Sequence, residues 1–153
     1  MIIGIEFKIP NSYGNYLKRI FQGVCVERYE WEIGFEEIYK ISDNNDFLSE
    51  DIFDDAIAGG ATFFQAINKG KYYMIFADFK AYLPGEIHDE VKTLRDFLLS
   101  NCQMVFLCSD CEYIELCSKD KSAISTIYQN CINEKFTDIK YIDSSELDRR
   151  LYG

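Results

Sequence analysis

The chain has 153 residues with a net charge of −10, 48% hydrophobic residues and only two prolines. This length and composition are typical of a globular domain with a sizeable core, and they exclude a disordered or fibrous protein. Because the excess negative charge repels phosphates, we expect neither nucleic acid nor a membrane surface as a partner.

The first part of the chain predicts a strand, a helix and a hairpin. Apolar residues alternate over residues 2–9 and stop at Pro10, which indicates a strand. Apolar residues from Tyr13 to Val24 follow helical spacing, which predicts a one-sided amphipathic helix. Residues 25–41 alternate on both sides of Gly34, and this pattern predicts a hairpin that turns at the glycine.

The rest of the chain mixes helices and strands, whereas residues 47–58 favour no single structure. Thr93 and Asp96 have the spacing of a capping box at the start of a helix. We therefore predict one α+β domain over residues 1–153, with a mixed, largely antiparallel sheet whose hairpins pack against amphipathic helices. The other predicted elements are helices at 62–69, 120–132 and 145–151, strands at 72–83 and 138–142, and a hairpin of 102–109 with 112–118.

Three stretches of the chain resemble a bacterial protein family. They read IPNSYGNYL at residues 9–17, YYMIFA at residues 72–77, and DFL at residues 96–98, continuing through Ser109-Asp110. These stretches are similar to the family catalogued as domain of unknown function 2691, and the likeness extends over most of the chain. The resemblance implies a bacterial cytoplasmic protein. The family has no assigned activity, so no functional residue carries over.

Targeting and redox features also indicate the cytoplasm. Residues 1–8 lack a basic leader, and no apolar run approaches the about 20 residues that span a bilayer. Because the cytoplasm is a reducing compartment, we expect the six cysteines to be thiols.

Four of the cysteines have the symmetric spacing C-x5-C-x2-C-x5-C. If Ser109-Asp110 is a two-residue turn, Cys108 faces Cys111 and Cys102 faces Cys117. The two pairs then lie about 20 Å apart along the strands, whereas one zinc ion needs four sulfurs at about 2.3 Å. This register predicts thiols rather than a metal site, and it leaves open a disulfide between Cys108 and Cys111 under oxidation.

Three other sequence features suggest a functional site but lack the pattern that such a site needs. His88, the single histidine, follows a strand in a polar stretch, and we expect it to be an exposed loop residue. The acids that start at Asp43 lack the calcium-loop pattern, because Phe47 and Leu48 occupy positions that need a ligand and a glycine. Gly59-Gly60 lacks a phosphate-binding fingerprint. We therefore predict no catalytic residue, no metal and no cofactor.

The excess charge is concentrated in residues 27–55, the acidic segment. It holds eleven acids against two bases, whereas the rest of the chain holds 15 acids against 14 bases. We predict a non-enzymatic protein-binding module, of the immunity-protein or inhibitor type, that docks a basic partner through this segment. The predicted contacts are the aromatic anchors Tyr29, Trp31, Tyr39 and Phe47 and the steering charges Glu30, Glu32, Glu36 and Asp46.

Two alternatives to docking stay open. The acidic segment can be a solvated surface whose only role is solubility. The chain can also be a small-molecule-binding domain or an enzyme, with a pocket near His88 and this histidine or a carboxylate as acid or base. A deep polar pocket near His88 favours an enzyme or ligand-binding protein, and a flat acidic face favours docking.

Overall fold

The computed structural model describes every residue from Met1 to Gly153. Eight strands form one sheet in which every pairing is antiparallel, so the predicted α+β class is confirmed. None of the helices has the length and apolar character needed to cross a membrane. The strands are β1 (Ile2–Lys8), β2 (Glu30–Ile33), β3 (Glu37–Ile41), β4 (Ile57–Ala58), β5 (Lys71–Tyr82), β6 (Met104–Ser109), β7 (Tyr113–Ser118) and β8 (Thr137–Asp143), and the helices are α1 (Tyr16–Ile20), α2 (Gly60–Asn68), α3 (Leu94–Leu99) and α4 (Lys121–Asn133).

The long strand β5 organises the sheet, whose order is β4-β2-β5-β6-β7-β1-β8. One edge of β5 pairs with β6, and its other edge pairs first with β3 and then with β2. Strands β2 and β3 therefore lie end to end along one edge of β5. They act as one long strand that is interrupted only at residues 34–36.

The predicted hairpin at Gly34 is wrong, because the chain does not reverse there. The N–H of Gly34 donates to the carbonyl oxygen of Asp78 at 2.8 Å, and a Cβ at this position would lie 3.0 Å from the same oxygen. Glycine thus permits a close approach to β5 rather than a turn. Alternation of apolar residues identifies extended chain, but it does not show whether two extended segments fold back on each other.

Each face of the sheet carries its own hydrophobic core. The larger core has 29 buried residues and lies under α1, α2 and α4. The smaller core has 11 buried residues and lies on the opposite face, under α3, the loop before it and the C-terminal segment. The face under α3 is only partly covered, and the candidate sites lie on its uncovered parts.

Two helix predictions are wrong, one in its extent and one altogether, because residues of both segments form hydrogen bonds with distant parts of the chain. Helix α1 begins at Tyr16 rather than near residue 12, since Gly14 pairs with Tyr72. The Tyr72 hydroxyl then accepts a hydrogen bond from the N–H of Leu17 at 2.9 Å. The predicted helix at 145–151 is absent, because this segment runs beside α3 and its Leu151 N–H donates to the carbonyl of Lys92.

The capping box predicted at the start of α3 is confirmed. The Asp96 carboxylate accepts a hydrogen bond from the N–H of Thr93 at 3.1 Å. In return, the Thr93 hydroxyl accepts one from the N–H of Asp96 at 3.3 Å. Both bonds connect residues three apart, which is why a local sequence pattern was sufficient to predict them.

Residues 42–58 follow the outer edge of the β2–β3 strand. Leu48 donates its N–H to the carbonyl of Lys40, and β4 pairs with β2 further along. Between these two contacts Phe53, only 5% exposed, inserts into the larger core. The acids of this stretch therefore line a sheet edge, where charge discourages pairing with another chain.

Candidate functional site

Two of the predicted aromatic anchors belong to the core. Tyr29 is 3% exposed and Trp31 is fully buried. The Trp31 indole N–H donates to the carbonyl of Val26 at 2.9 Å, and its ring stacks on Phe63 at a centroid distance of 4.0 Å. Neither side chain can reach a partner in this fold. Their prediction as surface anchors is therefore corrected to a structural role.

The predicted charges Glu30 and Glu32 lie on the face that carries the smaller core, near His88. One Glu30 carboxylate oxygen lies 3.4 Å from Nε2 of His88. The imidazole also stacks on Tyr82 with a centroid distance of 4.0 Å, and its side chain is 16% exposed. The prediction of an exposed histidine is wrong, because Tyr82 and Glu30 cover the ring.

A cavity of about 240 Å³ is lined by Asp89, the residue after this histidine. Its floor holds an ion pair between Asp78 and Lys80 at 2.6 Å, and both side chains are about 10% exposed. No serine, cysteine or histidine lines the cavity, so it lacks a Ser–His or Cys–His pair of nucleophile and base. The lining residues are Glu32, Gly34, Asp78, Lys80, Asp89, Glu90, Val91, Lys92 and Tyr152.

Glu36, a predicted steering charge, is partly buried. Burial, followed by the negative charge of Asp51, raises the pKa of Glu36 from 4.5 to about 7. Its Oε2 atom is buried without a hydrogen-bond partner. Glu36 therefore contributes less steering charge near neutral pH than the exposed acids of the segment.

Glu36→Gln should remove a pH dependence of stability. The folded state holds the Glu36 proton more tightly than the unfolded state, so the wild-type free energy of unfolding falls as pH rises from about 4.5 to about 7. Because Glu36 keeps partial solvent contact, we expect the variant to be more stable by about 1–2 kcal/mol above pH 7 and equal near pH 4. Urea unfolding across this range measures the difference, and a gap that does not change with pH contradicts the assignment.

The remaining predicted aromatics, Tyr39 and Phe47, lie on an exposed surface. Tyr39 pairs directly with Tyr73 across β3 and β5, and the ring of Phe47 meets both at centroid distances of 5.9 and 5.7 Å. Phe35 contacts Phe76 beside them at 5.9 Å. These five residues form the aromatic surface, on the face opposite the larger core.

Carboxylates without ion-pair partners lie on the aromatic surface and in the turn next to it. Glu37 faces Phe76 across the strands and accepts a hydrogen bond from the Tyr39 hydroxyl at 3.0 Å, which raises the pKa of Tyr39. Asp43 and Asp46 are exposed in the turn of residues 42–46, the acidic turn, immediately before Phe47. The site therefore combines open aromatic rings with negative charge.

Sequence reasoning missed Phe35, Glu37, Tyr73 and Phe76. The two β5 residues lie outside the acidic segment, and only the pairing of β3 with β5 brings them beside Tyr39. Phe35 and Glu37 lie in the acidic segment, four and two residues before Tyr39. This spacing places all three side chains on one face of an extended chain, and it is the signal that could have identified them.

The cysteine hairpin has a register different from the predicted one. Its turn contains three residues, so Cys108 pairs with Ile114 and Cys117 with Val105. All six cysteines are free, and burial raises the pKa of Cys108 to about 12. The Cys111 thiol lies 3.1 Å from the Tyr73 hydroxyl, at the border of the aromatic surface. No group of three or more His, Cys, Asp or Glu side chains is placed to hold a metal ion.

Comparison with known proteins places the chain in a family without an assigned activity. A model of the family described as "Protein of unknown function (DUF2691)" matches residues 2–152. The uncharacterized protein YncE of Bacillus subtilis is 35% identical over 148 residues, which cover 96% of this chain and 95% of that protein. No solved structure matches the chain significantly. The chain therefore belongs to the DUF2691 family, as the resemblance in its sequence indicated.

Proposed function

We propose that this protein is a non-enzymatic binding module that docks a basic partner protein on the aromatic surface and the acidic turn. The observation that carries the proposal is the exposure of two large aromatic side chains, 59% for Phe35 and 60% for Phe47, among carboxylates. Exposed aromatics that form a cluster supply anchoring area in protein interfaces. Exposed aromatic side chains that were isolated from each other would be weaker evidence for an interface.

Charge supports a basic partner. The acidic segment has a net charge of −9, and Asp43 and Asp46 are exposed beside Phe47. Complementary charge raises the rate of association and rejects partners of the wrong sign. A cytoplasmic immunity protein or inhibitor that neutralises a basic toxin or nuclease is the type of protein this surface suits.

The alternatives are less well supported by the geometry. Charge for solubility alone does not require Phe35 and Phe47 to be open, and exposed aromatics oppose that role. A small-molecule site near His88 stays a prediction, since the next residue, Asp89, lines the cavity. However, the imidazole is stacked on Tyr82 and held near Glu30, outside the lining of the cavity.

Reversing charge at the aromatic surface should weaken the binding of the partner. The triple variant Glu37→Lys, Asp43→Lys and Asp46→Lys changes the charge by +6 at this place. We expect affinity for a basic partner to fall about tenfold or more at low salt, with a smaller change at high salt. Capture from a cell lysate under reducing conditions, with quantitative mass spectrometry and then titration of the captured protein, measures the effect.

A matched control separates local from global charge. Glu86, Glu134 and Asp148 are exposed elsewhere on the molecule, and replacing all three with lysine gives the same +6 change. This control should retain the partner, while the surface variant loses it. If both variants retain the partner equally, the proposal is wrong. If both lose it equally, the effect comes from the net charge of the protein and not from the aromatic surface.

A further inference from the structure

The aromatic surface leaves most of one ring open to solvent. Phe47 is 60% exposed although its ring touches Tyr39 and Tyr73 at interplanar angles of 83° and 69°. The two tyrosines hold it upright on the sheet, so little conformational entropy is lost when a partner group packs against it. A flat partner group would find a pre-positioned ring here.

Carboxylates near this ring lack ion-pair partners. Asp43 and Asp46 form no ion pair, and Glu37 has only the hydrogen bond from Tyr39. Lys71 places its ammonium in the acidic turn, at the side-chain oxygen of Asn45 and over the ring of Tyr13, but it forms no ion pair with a carboxylate. Glu37, Asp43 and Asp46 therefore keep carboxylates that no cation of the chain pairs with, and a cation from outside can bind them.

At two other places on its surface, an arginine of the chain itself contacts both an aromatic ring and a carboxylate. The Arg28 guanidinium lies 5.0 Å from the ring centroid of Tyr29 and 3.8 Å from a carboxylate oxygen of Asp120. Arg19 lies 4.9 Å from the ring centroid of Tyr16 and 4.0 Å from Glu134. In both places one guanidinium contacts a ring and a carboxylate at once. No arginine of this chain occupies the equivalent place at Phe47.

We infer that the aromatic surface selects an arginine side chain of the basic partner over a lysine, an inference that rests on the proposed function. A guanidinium is planar and weakly hydrated, so it can stack on Phe47 while its N–H groups donate to Asp46 or Glu37. An ammonium is strongly hydrated and has no flat face. The partner therefore presents an arginine-bearing segment.

Two peptides of equal length and charge test this selectivity. Labelled hexa-arginine and hexa-lysine are titrated with the wild-type protein, and fluorescence anisotropy gives the two dissociation constants. We expect hexa-arginine to bind about three- to tenfold more tightly. Phe47→Ala should bring the ratio close to one, while Phe64→Ala, which removes a 41% exposed ring on α2, should leave it unchanged.

The outcomes separate this inference from the proposed function. Equal affinity for the two peptides overturns arginine selectivity and leaves docking of a basic partner in place. A preference that survives Phe47→Ala also overturns it, because the selectivity then arises elsewhere. If neither peptide binds, the inference fails, and the charge-reversal capture still decides the proposed function on its own.

Discussion

Trp31→Ala is expected to lower the free energy of unfolding by about 3–5 kcal/mol, because it empties a central site of the larger core. The indole is fully buried, stacks on Phe63 and meets Phe21 and Tyr29 at centroid distances of 5.9 and 6.0 Å. Its N–H also donates to Val26, whose carbonyl loses this bond in the variant. Such a loss is a large fraction of the stability of a domain of this size.

Chemical denaturation of Trp31→Ala and Phe47→Ala decides whether Trp31 and Phe47 have different roles. Phe47 is mostly exposed, so its replacement should change stability by no more than about 0.5 kcal/mol. A small effect at Trp31, or a large one at Phe47, would contradict the assignment of Trp31 to the core and Phe47 to the surface.

Arg149→Met is expected to cost about 2–3 kcal/mol, because it leaves two facing carboxylates without their shared cation. Glu6 and Glu115 lie directly opposite each other on β1 and β7, where like charges repel. The Arg149 guanidinium bonds to Glu6, lies 3.1 Å from Glu115 and 2.9 Å from Glu146, and its side chain is 18% exposed. We set the effect below that of a fully buried pair, since both carboxylates are about one-third exposed.

A second substitution tests this explanation of the Arg149 effect. Adding Glu115→Gln to Arg149→Met removes one of the opposed charges, so the double variant should regain part of the lost stability. Denaturant titration of the wild type, the single variants and the double variant gives the coupling. If the two changes add without any recovery, repulsion between Glu6 and Glu115 is not the cause.

Local signals predicted much of the fold, and pairing between distant segments accounts for the errors. The Thr93–Asp96 capping box and the predicted strand at 72–83 depend on neighbours in the chain, and both are confirmed. The hairpin at Gly34 and the helix at 145–151 fail because β5 and the segment before α3 bind those residues instead. Nothing in the sequence of either segment identifies the strand it pairs with.

The sequence predicted only part of the candidate site, because this site also depends on pairing between distant segments. The charge count located the acidic segment and included Tyr39, Asp46 and Phe47. It could not separate these from Trp31, because burial depends on which face of the sheet the helices cover. Tyr73 was missed since it reaches the surface only through its pairing with β3.

The most direct test of docking at the aromatic surface is the alkylation rate of Cys111 with and without the basic partner. Its thiol lies 3.1 Å from the Tyr73 hydroxyl, and the exposed Cys25 provides an internal reference away from this surface. We predict that saturating partner slows the alkylation of Cys111 severalfold and leaves that of Cys25 unchanged. An unchanged rate at Cys111, in a complex shown to be fully bound, would contradict docking at this surface.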